Sequence, residues 1–543
     1  MTRIRIPQGS RLLLAALLAM PAVPHLAAQE LQTPAEASGF TKYTPYSEMM
    51  SYLQALVGRS PELRMGLYGQ TRLGRDLPYL VFSRPAVSEP WEAWALGKPI
   101  VVLNANVHGG ERTLRESLLI LMREMATPGT EAYGYLDHLV IVVAPQINPD
   151  GFEASPGGTR GNSWGIDMNR DWIKREQPSL ANYALNVINR WAPHLFVDGH
   201  NGGSFPYQLT WQCPSHAEPD QRITQLCDTE IFPALNRKLG TAGMKGWYYQ
   251  AGNANRWNGG GYDARIGRNY GGFANTIGIL FESPPGQPMA TGVQAGILGF
   301  KGVLEYTRDN AAKVMMTVER ARRETIEMGQ RAEGNVVVEM RYGPQPYRVT
   351  YEIGVREGTT QRAVQVSNDS LMTLPVITKT RPRPYAYVLP REAVDAVAML
   401  RRNAIVVEEL LEPMQAEVQA YVVEGVGFEQ AYNHSAAVRL KLADQTQTVT
   451  RTFPAGTFVV RTGQVLGRVA AHMLEPETND NVIYWNTMDA WLPLNRLLPP
   501  AARAGDDEEA PPGPPQGGAQ QGPPLVPIFK IMTPRPIAGR MVP

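Results

Sequence analysis

Three short stretches end in residues able to hold or use a metal ion. "VHGGE" supplies His108 and Glu111, "VDGH" supplies His200, and "ILFE" supplies Glu282. Two neutral imidazoles and one carboxylate, with a fourth position left to water, are a standard set for a catalytic zinc ion. A hydrolytic metal also needs a base to take the proton of its water, and Glu282 is the candidate. Taken alone, His108 and Glu111 read equally well as a surface histidine beside an N-terminal helix charge. The segment "TRGNSWGIDMNRDW" adds Arg160, Asn169 and Arg170, two guanidiniums and an amide close together. A planar guanidinium fork suits bidentate capture of a carboxylate. A site for the end of a peptide needs one such group, and a polarised amide carbonyl needs a second.

These residues need rigid supports, and the chain supplies them between Ile100 and about Thr317. "PIVVLNANV", "HLVIVVAPQ", "PHLFVDG" and "NTIGILFE" are apolar runs of strand length. "ERTLRESLLILMREM", "SLANYALNVINRWA" and "GILGFKGVLEYTRDNAAKVMMTVERARRETIEM" have helical spacing. Such alternation predicts an α/β fold with a mixed, mostly parallel sheet flanked by helices. Functional groups in such sheets collect beyond the carboxyl ends of strands, where His108, Glu111, His200 and Glu282 all fall. Upstream, a helix in "YTPYSEMMSYLQALV" and two strands in "RMGLYGQTRLGRDLPYLVFSR" lead in.

Past Gly334 the pattern turns to short strands with turn signals and one further helix, a smaller α+β region. The organisation read from the sequence is a signal peptide at 1–28, a catalytic domain at 29–330, an accessory domain at 331–498 and a largely disordered Pro/Gly-rich tail at 499–543. Within that tail "LVPIFKIM" is apolar enough to dock back as an edge strand.

The N-terminus places Arg3, Arg5 and Arg11 before "LLLAALLAM" and small residues up to Ala28, the order of a secretory leader. The expected location is therefore secreted or periplasmic, with no stable membrane span after cleavage. Cys213 and Cys227 are the only cysteines. Export favours their pairing as a disulfide over two reduced, buried thiols. The 543 residues carry a formal net charge of +1, which gives no support to nucleic-acid binding.

The sequence resembles the zinc carboxypeptidases, peptidase family M14, over about residues 41–320. "HGGE", "NPDG", "TRGNSWGIDMNRDW", "VDGH" and "ILFE" carry the resemblance, in the family's order and spacing. It implies one zinc ion per chain on His108, Glu111 and His200, with Glu282 as general base. It also implies Arg160 for the oxyanion, Asn169 and Arg170 for the substrate's terminal carboxylate, and Asp167 orienting the first histidine. Where the family has its mobile tyrosine the chain has Gly260. Tyr262 is the nearest match and Tyr270 the alternative. The specificity-setting position falls within "DARIGRNYGG", where Arg265 and Arg268 hint at a carboxylate-bearing substrate but equally suit a solvated loop. "WYYQ" at Trp247 and the Gly-rich loop after it are candidates to line a groove.

The function so implied is an exported metallocarboxypeptidase that hydrolyses C-terminal peptide bonds of peptides or proteins through a zinc-activated water. A second reading keeps the metal but makes the enzyme an amidase or peptidase of cell-wall peptides or N-acyl amino acids. A third is a non-catalytic peptide-binding protein on a peptidase scaffold. Loss of the base or of a zinc ligand would mark it, and all four residues are present.

Overall fold

The computed structural model describes residues 31–498 and 524–542. The expected leader at 1–28 lies outside them, as does the first part of the expected tail. Ten strands build the part of the molecule that carries the chemistry. These are β1 (Leu63–Gln70), β2 (Asp76–Phe82), β3 (Ile100–Ala105), β4 (Val140–Ala144), β5 (Leu195–His200), β6 (Leu209–Gln212), β7 (Gly246–Tyr248), β8 (Gln250–Gly252), β9 (Trp257–Gly259) and β10 (Ile277–Glu282).

Eight of them form one twisted sheet in the order β1-β2-β4-β3-β5-β10-β6-β7. The four central strands β4, β3, β5 and β10 run parallel, while β1, β2 and β6 enter by antiparallel pairing. The central strands are buried along their whole length. Such strands need continuous apolar runs, because helices cover both faces of the sheet. This is the mixed α/β sheet that the alternation predicts. The stretch from Gly296 to Met328 is not one helix. It breaks at Asn310 (φ −121°) into helices Met289–Asp309 and Ala311–Arg331.

The expected boundary at 330/331 is a turn in the chain but not a break in the packing. The strand Leu371–Pro382 runs parallel to β9 in a four-stranded sheet that also contains Asn335–Pro344 and β8. One apolar core takes Met168, Trp172 and Ile173 from before the boundary and Leu400, Val426 and Trp485 from after it. Buried polar ties run across as well. Arg383 pairs with Glu218 at 2.5 Å, Arg265 pairs with Asp480 at 3.0 Å, and Asn403 donates to the Ile173 carbonyl at 2.7 Å.

The expected disordered tail also needs correction. Residues 524–542 are placed, and Phe529–Ile531 is an interior strand of a seven-stranded sheet, between Met414–Ala420 and Ala386–Leu389. An edge position was expected from its apolar run. The structure gives it partners on both sides, with Phe529 and Ile531 buried and Lys530 paired with buried Glu475 at 2.5 Å. Cys213 and Cys227 are joined as a disulfide with Cα atoms 6.3 Å apart. In the chain-entropy picture a loop of that size is worth about 3 kcal/mol.

Because Phe529 fills a core between two strands, Phe529→Ala is expected to destabilise the protein by about 3–5 kcal/mol. Denaturant unfolding of the purified variant measures this, and an unchanged midpoint would show that the segment is not integral to the sheet.

Candidate active site

His108 and Glu111 sit on the loop between β3 and the helix Thr113–Ala126. Asn106 shapes this loop. It adopts a left-handed backbone (φ 60°), which asparagine tolerates better than most residues. From there its Nδ2 donates to the carbonyls of His108, Gly109 and Glu111 at 2.9, 3.2 and 2.9 Å. Neither glycine between the ligands has a positive φ. What requires Gly109 is crowding, since a Cβ there would lie 2.1 Å from the Gly151 carbonyl carbon. Gly151 belongs to "NPDG", whose Asn148 donates to the carbonyls of Val107 and Gly161 at 3.1 and 3.0 Å. The motif thus straps the metal loop to the segment bearing Arg160.

His200 ends β5, and Glu282 ends β10 directly beside it in parallel register. Nδ1 of His108 lies 2.8 Å from one oxygen of Glu111, and Nδ1 of His200 lies 2.7 Å from the other. The two Nδ1 atoms are 3.3 Å apart. Each ring is held from its far side by a carboxylate. His108 Nε2 meets Asp167 at 3.0 Å, and His200 Nε2 meets Asp198 at 3.0 Å. This carboxylate–histidine pairing is the usual way a metal-binding imidazole is aimed and made more basic. The donor set therefore fits zinc: two imidazole nitrogens and a carboxylate, all within 4.8 Å of one another.

The electrostatics point the same way. Burial disfavours a charged His200, but Asp198 and Glu111 outweigh it and raise its pKa well above the ordinary imidazole range. At His108 burial is likewise overcome, by Glu111 and Asp167. Burial would raise the Glu111 carboxyl, yet the two histidines hold it far below its ordinary value. The pocket thus attracts positive charge, first as protons. Glu282 behaves oppositely, because burial pushes it up to about 8 against the pull of His200. Gly202 backs closely onto it; a Cβ there would lie 2.5 Å from the Glu282 carboxylate.

A cavity of about 170 Å³ opens over these groups. Arg160, Asn169 and Arg170 all line it, as the sequence reading expects. Arg160 is half-exposed and donates to Asp167 through Nε at 3.0 Å. Asn169 reaches within 3.4 Å of His200 Nε2, while its Oδ1 accepts from Trp172 and from the Gly267 amide. Arg170 donates to the Asn169 carbonyl at 2.9 Å, and the ring of Tyr432 stands 4.9 Å from its guanidinium. Tyr432 comes from the tip of the hairpin Val423–Ala431/His434–Leu442, so the C-terminal region walls this end of the site. Asp171, next to Arg170, accepts from the Gln177 and Glu176 amides and is buried.

Tyr262 does not line the cavity. Its hydroxyl turns to the Met340 carbonyl and its ring packs on Tyr342. Tyr270 is core, packed under Trp172. The tyrosine facing the cavity is Tyr249, which burial and the field of Glu282 raise to about 12. Its segment "WYYQ" is a groove candidate in the sequence, and Tyr249 and Gln250 line the cavity while Trp247 packs among Tyr207, Trp257 and Tyr351. Asp198 was legible in principle: it stands two residues before His200 on a strand and so shares its face. Asn106 and Tyr432 carried no signal.

Replacing Asp198 by Asn is expected to weaken zinc binding by about 10–100-fold, measured by competition with a chelator. Unchanged affinity would mean that the carboxylate does not orient His200. In chelator-treated protein, Glu282 has a raised pKa, so folding favours its protonated form. That contribution is complete below the ordinary carboxylate range and is lost as pH rises through about 8. Glu282→Gln fixes the neutral form and is expected to raise the apo protein's Tm above that of wild type near pH ~9. An apo variant less stable than wild type there would contradict the burial cost.

Residues 49–194 match Peptidase_M14, the zinc carboxypeptidase family. Carboxypeptidase 2 of Trichophyton tonsurans is 26% identical over 437 residues, 75% of this chain and 77% of its own. Carboxypeptidase D of Drosophila melanogaster is 35% identical over 149 residues, 24% of this chain and 10% of its own. Among solved structures, a metallo-carboxypeptidase from Burkholderia cenocepacia superposes with a TM-score of 0.39 at 18% identity, over 49% of this chain and 70% of that one. Residues 49–194 thus carry a zinc carboxypeptidase (peptidase M14) match, and over 75% of its length the chain is similar to a Trichophyton carboxypeptidase 2.

Proposed function

We propose that the protein is an exported zinc metallocarboxypeptidase that hydrolyses the C-terminal peptide bond of peptides or proteins. One observation carries this reading: His108, Glu111 and His200 converge on one point beside buried Glu282, under a cavity that also admits Arg160, Asn169 and Arg170. His108, Glu111 and His200 would hold one zinc ion per chain, which would supply Lewis-acid chemistry when bound.

The remaining work falls to side chains. Glu282 is the general base; it accepts a proton from the attacking water on a carboxylate oxygen and passes it to the departing amine. Its burial raises its affinity for that proton, so the protonated carboxyl is a reachable state near neutral pH. Arg160 donates to the substrate carbonyl oxygen as charge grows there. Its tie to Asp167 keeps it at the cavity edge. Asn169 and Arg170 grip the terminal carboxylate, the guanidinium by two parallel hydrogen bonds. Tyr249 takes the substrate-facing role in place of Tyr262. Tyr432 positions Arg170 from the other side.

Export is supported by the leader pattern at 1–28 and by the disulfide, which persists in an oxidising compartment. Among the described residues no helix is long and apolar enough to cross a membrane. The region after residue 330 is better taken as a wall of the catalytic unit than as a detachable domain.

Metal analysis with a carboxypeptidase assay on wild type, His108→Ala and Glu282→Gln tests the reading. The first variant is expected to lose zinc. The second is expected to keep it while turnover falls by about 10²–10⁴-fold. Full activity in either would refute the assignment. Tyr432→Ala should raise KM several-fold with zinc content unchanged and kcat little affected; a fall in kcat alone would argue against a positioning role.

A further inference from the structure

Three guanidiniums face the cavity, and the reading above employs two of them, Arg160 and Arg170. The third is Arg268, on the first turn of the helix Gly267–Phe273. The sequence offers Arg265 and Arg268 together, and the structure separates them. Arg265 is paired with Asp480 at 3.0 Å and donates to the Asn479 carbonyl at 2.7 Å. Its charge is spent inside the fold.

Arg268 is only 2% exposed, yet it has no such partner. One terminal nitrogen donates to the Gly261 carbonyl, and its Nε is buried without an acceptor. Among the described residues, no carboxylate forms an ion pair with it. A guanidinium does not shed its proton on burial, and a buried cation with no counter-ion is costly unless something else supplies the opposite charge. Glu282 lines the same cavity but forms no ion pair with it. Gly260 and Gly261 line the cavity with it, and a Cβ on Gly260 would lie 2.8 Å from the Tyr249 ring. The lining is polar, with Ile266 and Leu280 its only aliphatic side chains. That is too little apolar surface to reward a large hydrophobic side chain. A basic side chain would bring like charge against Arg268.

We propose that Arg268 sets the substrate class, receiving the side-chain carboxylate of an acidic C-terminal residue, so that the enzyme removes C-terminal glutamate and aspartate in preference to neutral or basic residues. This rests on the metallocarboxypeptidase reading above. The substrate then brings two carboxylates to two separate receivers: its main-chain terminus to Asn169 and Arg170, and its side chain to Arg268. The Gly261 carbonyl fixes the plane of the receiving guanidinium.

The test uses the zinc-loaded, full-length protein and N-acylated dipeptides that differ only in ending with Glu, Gln, Leu or Lys. A charge-assisted hydrogen bond in place of a neutral one predicts kcat/KM for Glu above that for Gln by at least about tenfold. Arg268→Gln is expected to bring the Glu/Gln ratio close to one, whereas Arg268→Lys keeps its sign. Zinc content and circular dichroism report whether each variant folds, and if one does not, the wild-type ratio decides alone. Equal cleavage of Glu and Gln ends, or a preference for Leu or Lys, overturns the acidic assignment and leaves the peptidase reading standing. Cleavage of none of the four overturns both.

Discussion

Two histidines, one on the loop after β3 and one ending β5, turn their Nδ1 atoms to within 3.3 Å of each other, and neither ring would do so unaided. An imidazole ring has two donor positions and rotates freely about its bonds. The structure removes that freedom by placing a carboxylate behind each ring, Asp167 at His108 and Asp198 at His200. The need to bring those two carboxylates in explains much of the surrounding fold. Asp198 comes with β5 itself. Asp167 comes on a long loop that is held down by Asn148, by the Gly109–Gly151 approach and by Arg160. The close contact of helix Gly267–Phe273 belongs to the same arrangement, since a Cβ on Gly267 would strike Asp198 at 2.6 Å.

The same crowding sets the opposed proton affinities of the two glutamates. Glu282 is buried, whereas Glu111 is half-buried between two imidazoles, one strand nearer the centre. One carboxylate is therefore kept as an anion, and the other is made ready to gain a proton. No difference in residue type is required, only a difference of neighbours.

The central sheet, and the residues that converge at the cavity, His108, Glu111, His200, Glu282, Arg160, Asn169 and Arg170, were all legible in the sequence. Each lies at a strand end or within a motif of fixed spacing, where local pattern and chemistry coincide. The failures share one cause. Tyr249 lines the cavity, whereas Tyr262, chosen by its spacing from Glu282, does not. Tyr432 reaches Arg170 from more than 200 residues downstream, and Phe529–Ile531 finds both its neighbours in strands far upstream. Contacts of that sequence separation leave no periodicity to read. The domain boundary misled for the same reason: composition changes at residue 330, while the packing does not.

The strand at Phe529–Ile531 also has a bearing on timing. The hairpin that walls the site is rooted at Val423, whose amide bonds to the Pro524 carbonyl at 2.8 Å, while the Val526 amide returns to Tyr421 at 2.9 Å. The root of that wall therefore stays incomplete until the ribosome has passed residue 531. A nascent chain holds every residue of the proposed chemistry long before then, but not the enclosure that presents substrate to it. Completion of the enclosure waits for Pro524 and Val526, far downstream of the hairpin they root.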